Sequence, residues 1–373
     1  MYDLNMKIRI GFGLLWMVSL AQVVSGVQVS PDLKPHWEKQ MKAIRAVRLS
    51  HSGDCVAVAT LDRISLLARS GEELWHWEFS KGNRFMRALN VSVSPQCDWL
   101  AVAGDASYRY IWIAHRNGRL IPIRTNATPV GLAISHRGDL LAIGTGAGDV
   151  WLFDAGGKMR WRTKLGYCCV NVLNFSADDQ VIVSSSWASV GMLSVDGRVQ
   201  WVAQAPITGM AIARDLKTIV EWYEPNHGTG VCWVELLDRG TRLWLKNAPY
   251  DPVSIISPAG DLVIAPVKDN QGPTEEDAAC DSESPVPMRL LSRTGEILRT
   301  FPGDVRPLAF APDGKSFLVS AGNFEAWDLD SNVLWVVPVF DPVLHLGWVH
   351  FTEDLRTIVE WSEDRIAWFS TPQ

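Results

Sequence analysis

Apolar and polar positions alternate along this chain as short apolar runs separated by polar turns, and one arrangement keeps returning. From Val47 to Thr60 two apolar runs flank the turn Ser50-His51-Ser52-Gly53-Asp54. From Val91 to Gly104 two more flank Ser94-Pro95-Gln96-Cys97-Asp98, and from Val130 to Gly144 another pair flanks Ser135-His136-Arg137-Gly138-Asp139. The arrangement recurs at Val172 to Ser184, Gly209 to Trp222, Val253 to Ala265, Leu308 to Ser320 and His350 to Trp361, eight instances in all. Short apolar runs bounded by Gly, Ser, Asn and Asp predict strands joined by tight turns; a helix would need an apolar stripe at a period of about 3.6 residues. Between the residues that open the turns (Ser50, Ser94, Ser135, Ser176, Ala213, Ser257, Ala311 and Thr352) the spacings are 44, 41, 41, 37, 44, 54 and 41.

A second pattern fills the space between these pairs. A glycine followed four residues later by a tryptophan ends the unit at Gly71 to Trp75, Gly157 to Trp161, Gly197 to Trp201 and Gly240 to Trp244, with serine in the glycine's place at Ser331 to Trp335. An apolar run that breaks at a glycine and resumes on an aromatic predicts a hairpin, here the outer two strands of a small sheet. Four short strands at this period predict an all-β fold, an eight-bladed β-propeller of four-stranded antiparallel blades. The eighth unit stops at Ile366-Ala367-Trp368-Phe369 without an outer strand, while Pro35-His36-Trp37 stands alone near the start. The N-terminal segment is therefore expected to supply the missing strand and close the ring, removing free sheet edges.

Eleven of the 18 tryptophans fall at two repeat positions: Trp75, Trp161, Trp201, Trp244, Trp335 and Trp37 on outer strands, and Trp112, Trp151, Trp233, Trp327 and Trp368 on the strand before. A large ring at a fixed repeat position is a packing device between blades, burying about 150–250 Å². Blades 2 and 6 carry Pro122 and Arg299 where the outer tryptophan would fall, so those seams are expected to be the weakest.

Composition narrows the class. The continuous repeat makes residues 27–373 one domain, and 47% hydrophobic against 20% charged residues supports a packed core. A formal net charge of -6 with no basic run excludes nucleic acid as a partner. Residues 1–26 resemble an export signal or an uncleaved anchor: Lys7 and Arg9 precede an apolar run from Ile10 to Leu20, and Val24-Ser25-Gly26 offers a cleavage site. The protein is expected to be periplasmic or extracellular and monomeric. Six cysteines are compatible with that compartment, with pairing left open: Cys168 and Cys169 are adjacent, Cys55 and Cys97 sit near comparable turns, and Cys232 and Cys280 fall in neighbouring units.

Local chemistry is sparse. The acidic insertion at 268–287 lengthens the sixth unit but fits no EF-hand order. Gly144-Thr145-Gly146-Ala147-Gly148 precedes a strand, not the helix that a phosphate cradle needs. His51 and His136 share a turn position, which suggests exposed turn residues. His345 and His350 would point to opposite faces of a strand. The segments Asp215 to Trp222 and Asp354 to Trp361 are nearly alike, either a duplication or paired Glu-Trp steps facing a common ligand. No nucleophile elbow, zinc spacing or HExxH is found. Accordingly no catalytic, metal or cofactor-binding residue is assigned.

At its glycine-to-tryptophan strands the chain resembles the quinoprotein-type eight-bladed propellers. The turn Ala311-Pro312-Asp313-Gly314-Lys315 and Trp327-Asp328 look equally like WD repeats, and the resemblance spans roughly residues 34–369. It implies either a pyrroloquinoline-quinone dehydrogenase holding calcium, or a cofactor-free propeller that binds protein partners, as in outer-membrane assembly. Cys168-Cys169 is similar to the vicinal disulfide beside the quinone in the dehydrogenases. Their calcium ligands and catalytic aspartate match no position here. The expectation is a non-catalytic protein-binding or assembly scaffold, with the dehydrogenase as the alternative. Its partner surface is expected at Tyr167, Trp187, Tyr223, His227 and Tyr250, which depart from the packing positions and lie on one face with the insertion.

Overall fold

The computed structural model describes residues 33–78, 90–104, 109–166, 169–170, 172–176, 178–185, 189–203, 209–214, 217–223, 232–248, 253–268, 286–301, 305–321, 323–337, 349–352 and 354–371. These form eight four-stranded antiparallel sheets. Blades 1 to 7 each use four consecutive strands in chain order, running from 46–78, 90–124, 129–164, 172–203, 209–247, 255–300 and 306–337. The eighth holds Val349–Phe351, Thr357–Trp361 and Arg365–Ser370, with Trp37–Gln40 hydrogen-bonded along its last strand in the register Trp37↔Trp368 to Gln40↔Arg365.

Each seam between consecutive blades encloses its own apolar cluster. Val91, Val93 and Leu100 pack against Ala57, Ala59 and Leu66 between blades 1 and 2. Further clusters fill the remaining seams in turn. The last, between blades 8 and 1, sets Val359, Trp361 and Trp368 against Val47, Val56 and Val58. Blades are covered on both faces, so the second strand of a blade is buried at consecutive positions: Cys55–Ala59, Trp99–Ala103, Leu140–Thr145 and Thr357–Trp361 are buried throughout. Outer strands such as Met159–Lys164 alternate between half-buried and exposed.

The glycine-to-tryptophan spacing has a specific mechanical meaning. At Gly71, Gly197, Gly240 and Gly295 the turn glycine adopts a positive φ, and the outer tryptophan of the preceding blade lies against it. A Cβ on Gly71 would meet the Trp37 ring at 3.0 Å, on Gly197 the Trp161 ring at 2.8 Å, and on Gly295 the Trp244 ring at 2.9 Å. Gly240 takes Trp201 at 3.4 Å. The Trp37 and Trp161 indoles also donate to the carbonyls of Arg69 and Val195 beside those glycines, at 2.9 and 2.7 Å. Glycine and tryptophan of one motif thus serve two different seams. Trp75 packs between blades 1 and 2 and Trp335 is buried between blades 7 and 8.

Where the outer tryptophan is missing, other groups fill its place. Ile121 of blade 2 covers Gly157 of blade 3. Arg299 of blade 6 pairs with Asp330 of blade 7 at 2.6 Å, above a cluster of Phe301, Phe310, Phe317 and Trp327. The recurrent turn serine is a buried cap: Ser94 Oγ accepts from the amides of Asp98 and Trp99, as Ser135 does from Asp139 and Leu140. A disulfide joins Cys55 in blade 1 to Cys97 in blade 2, and Cys232 is also disulfide-bonded.

Candidate functional site

The four-stranded blade sorts its connections onto two rims. Turns between first and second strands, and between third and fourth, share one rim. Connections from second to third strand, and from one blade to the next, share the other. On that second rim blades 4, 5 and 6 end at the pairs Ser185↔Ser189, Tyr223↔Trp233 and Pro266↔Met288. The strand ends Lys164, paired with Asp149, and Asn247, paired with Trp233, lie on the same rim. Tyr223 ends the second strand of blade 5, Thr218–Tyr223. Tyr167, Trp187, His227 and Tyr250 lie outside the described residues, as do 269–285 of the insertion, Cys168, His345 and the segment 1–26; the described strand ends flanking the four aromatic and histidine positions are those on this rim.

On the first rim, where His51 and His136 are expected as exposed turn residues, the first is exposed and the second half-buried. His51 is exposed but its Nε2 donates to the Ile134 carbonyl at 3.1 Å, and its ring meets that of His136 with centroids 4.5 Å apart. His136 is half-buried, with Nδ1 3.7 Å from Asp179 Oδ1 of blade 4, a carboxylate that also accepts from the His136 amide at 2.8 Å and pairs with Arg137 at 3.0 Å. The two histidines, at one turn position in blades 1 and 3, reach across blade 2 to touch.

The innermost strands converge on an axial cavity of about 640 Å³, lined by Arg48, Ser92, Asn174, Arg306, His350 and neighbouring residues from six blades. Among Arg48, Ser92, Asn174, Arg306 and His350 only His350 stands out in the sequence, as a strand residue facing away from His345, because residues some 300 apart in the chain meet there and no local spacing marks the cavity. Burial lowers the pKa of Arg48. Burial first, and then the Arg48 cation, push His350 down to about 3, against the opposing effect of the Val47 backbone, so its imidazole is neutral at physiological pH.

A further titratable cluster lies in a seam. Glu221 and Glu235 face each other across adjacent strands of blade 5, both buried. Glu235 is ion-paired with Arg242. Burial and the neighbouring Glu235 raise Glu221 to about 9, with Arg242 opposing, so Glu221 keeps its proton at neutral pH. In blade 5 Ile219 packs toward blade 4 while Val220 and Trp222 pack toward blade 6, so alternation turns Glu221 toward blade 4. In blade 8 Ile358 packs toward blade 7 and Trp361 toward blade 1, which turns Glu360 toward blade 7. The two Glu-Trp steps occupy separate seams and face no common ligand. Among the described residues no group of three His, Cys, Asp or Glu is arranged to hold a metal ion.

No protein-family model and no curated protein matches the sequence. Solved structures match at the level of fold. The Dos1 propeller superposes with a TM-score of 0.60 at 14% identity, over 91% of this chain and 95% of that one. A chain of hydrazine synthase from Kuenenia stuttgartiensis superposes with a TM-score of 0.52 at 14% identity, over 77% of this chain and 96% of that one. At such identities the likeness extends to the propeller architecture and no further.

Proposed function

We propose that the chain is an exported, non-catalytic scaffold that holds a protein partner on the second rim of blades 4 to 6, through Tyr167, Trp187, Tyr223, His227 and Tyr250 beside the insertion 268–287. One observation carries the reading: the strand ends that flank these residues in the chain, Lys164, Ser185 and Ser189, Tyr223 and Trp233, Asn247, Pro266 and Met288, belong to one rim of four adjacent blades, 3 to 6. Aromatic side chains gathered on a loop rim suit a protein interface, where Trp and Tyr dominate the binding energy. Export is supported by the basic and apolar pattern of residues 7–26 and by the Cys55–Cys97 disulfide, a bond that persists in oxidising compartments. The test replaces Trp187 and Tyr223 together by alanine and measures recovery of envelope proteins on the immobilised domain. Loss of a partner that the wild-type chain retains, with melting unchanged, is expected. Unchanged recovery by a folded variant contradicts the site.

A further inference from the structure

We propose that the axial cavity is a binding site for a small oxyanion, a phosphate or a low-molecular-weight carboxylate, held by the guanidinium of Arg48 with Arg306, Ser92 and Asn174 around it. The first ground is charge. Arg48 projects from the innermost strand of blade 1, Ala46–Leu49, into the cavity, and among the described residues its side chain makes no hydrogen bond or ion pair. Its electrostatic neighbour among the described residues is His350, which is itself repelled by the guanidinium and stays neutral. Arg306 of blade 7 adds a second cation to the lining. Among the described lining residues there is no carboxylate to set against Arg48, although the chain as a whole is acidic, at -6. A guanidinium enclosed by protein is costly unless a counter-charge reaches it, and the lowering of the Arg48 pKa by burial expresses that cost.

The second ground is shape and donor chemistry. At about 640 Å³ the cavity is of the size that small ligands occupy. Its polar lining includes two guanidiniums, the Ser92 hydroxyl, the Asn174 amide and the imidazole of His350, with apolar walls from Val93, Val253, Leu308, Val349 and Phe351. A planar guanidinium presents paired N–H donors that match two oxygens of a carboxylate or phosphate. The neutral imidazole of His350 offers polarity without charge. Walls contributed by six rigid blades hold these groups in place before any ligand arrives, which lowers the entropic cost of binding. The cavity lies on the axis, apart from the partner rim, so the inference stands independently of the scaffold reading.

The experiment titrates the purified chain with inorganic phosphate and, separately, with succinate by calorimetry, against sodium chloride at matched ionic strength. Saturable binding of phosphate alone identifies a phosphoryl ligand, and saturable binding of succinate identifies a carboxylate. Arg48→Gln is expected to weaken the binding at least tenfold, and Arg48→Lys, which keeps the charge but loses the paired donors, less. Arg198→Gln, at an exposed arginine of an outer turn, is expected to leave it unchanged. Because His350 stays neutral, succinate affinity is expected to be flat from about pH 6.5 to about pH 8. Should Arg48→Gln fail to fold, the wild-type titrations against chloride decide alone. No saturable binding of either anion, or equal binding by a folded Arg48→Gln variant, overturns the proposal.

Discussion

Gly197 shows how a single residue type is fixed by two demands at once. Its φ of +86° lies in the left-handed region, and the Trp161 ring of the preceding blade stands 2.8 Å from where a Cβ would be. Gly118 has the same φ of +86° at the equivalent turn of blade 2 but nothing within 4 Å. Alanine at Gly118 is therefore expected to cost only the backbone term, about 1–2 kcal/mol. Alanine at Gly197 must also displace an indole, for a total of about 2–4 kcal/mol. Denaturant midpoints of the two variants check this, and equal losses would mean that the ring contact contributes nothing. The glycine-tryptophan spacing was legible in the sequence; the fact that Gly71, Gly197, Gly240 and Gly295 receive their rings from the blade before was not, since spacing within a repeat carries no information about which repeat lies alongside. Glu221 was singled out in sequence only as one of two similar Glu-Trp steps, and its seam position explains a pH effect instead. A carboxyl held at about 9 when folded binds its proton more tightly than in the unfolded chain, where the value is 4.5. Its contribution to stability is complete below 4.5 and is lost as pH rises toward 9. Glu221→Gln, which keeps the neutral shape, is expected to flatten that decline and to raise stability at about pH 8 by on the order of 2–4 kcal/mol. A variant with the wild-type pH slope would show that Glu221 is ionised in the fold.

Among the elements, the strand Trp37–Gln40 carries the largest consequence for its size. It is the outer strand of the last blade although it comes first in the chain. Its tryptophan fills the same place on Gly71 of blade 1 that Trp161 fills on Gly197, and Glu38 adds an ion pair to Arg365. Without it the edge of Arg365–Ser370 would be unpaired and the blade 8 to blade 1 cluster would lose the ring that packs on it. Deletion through Gln40 is therefore expected to lower the melting temperature by about 10 °C or more or to promote association, whereas deletion through Ser25 leaves melting unchanged. Similar melting of both truncations would show that this strand does not hold the ring. Strand pairs and their turns were legible because apolar runs and turn residues are local signals. The Cys55–Cys97 pairing was left open for the opposite reason: it depends on the placement of two blades side by side, which brings Cα atoms 42 residues apart to within 6.2 Å.

At the scale of the whole molecule, eight seams with eight apolar clusters make a ring whose stability is spread over every interface, leaving rims and axis for recognition. The architecture followed from periodicity alone. The axial arginines did not, because an axis has no sequence address: Arg48, Arg306 and His350 come from blades 1, 7 and 8 and share only the innermost position. The same architecture serves binding proteins and quinone enzymes, so the claim that this ring is a scaffold is decided by chemistry, not by shape. The most direct measurement is an absorbance spectrum of the purified chain after incubation with pyrroloquinoline quinone and calcium, followed by a dye-linked dehydrogenase assay with alcohols and aldoses. The scaffold account predicts no retained quinone absorbance and no turnover, with the same result when Cys168 and Cys169 are serine. Stoichiometric quinone uptake with substrate-dependent dye reduction, weakened by the loss of that cysteine pair, would contradict it.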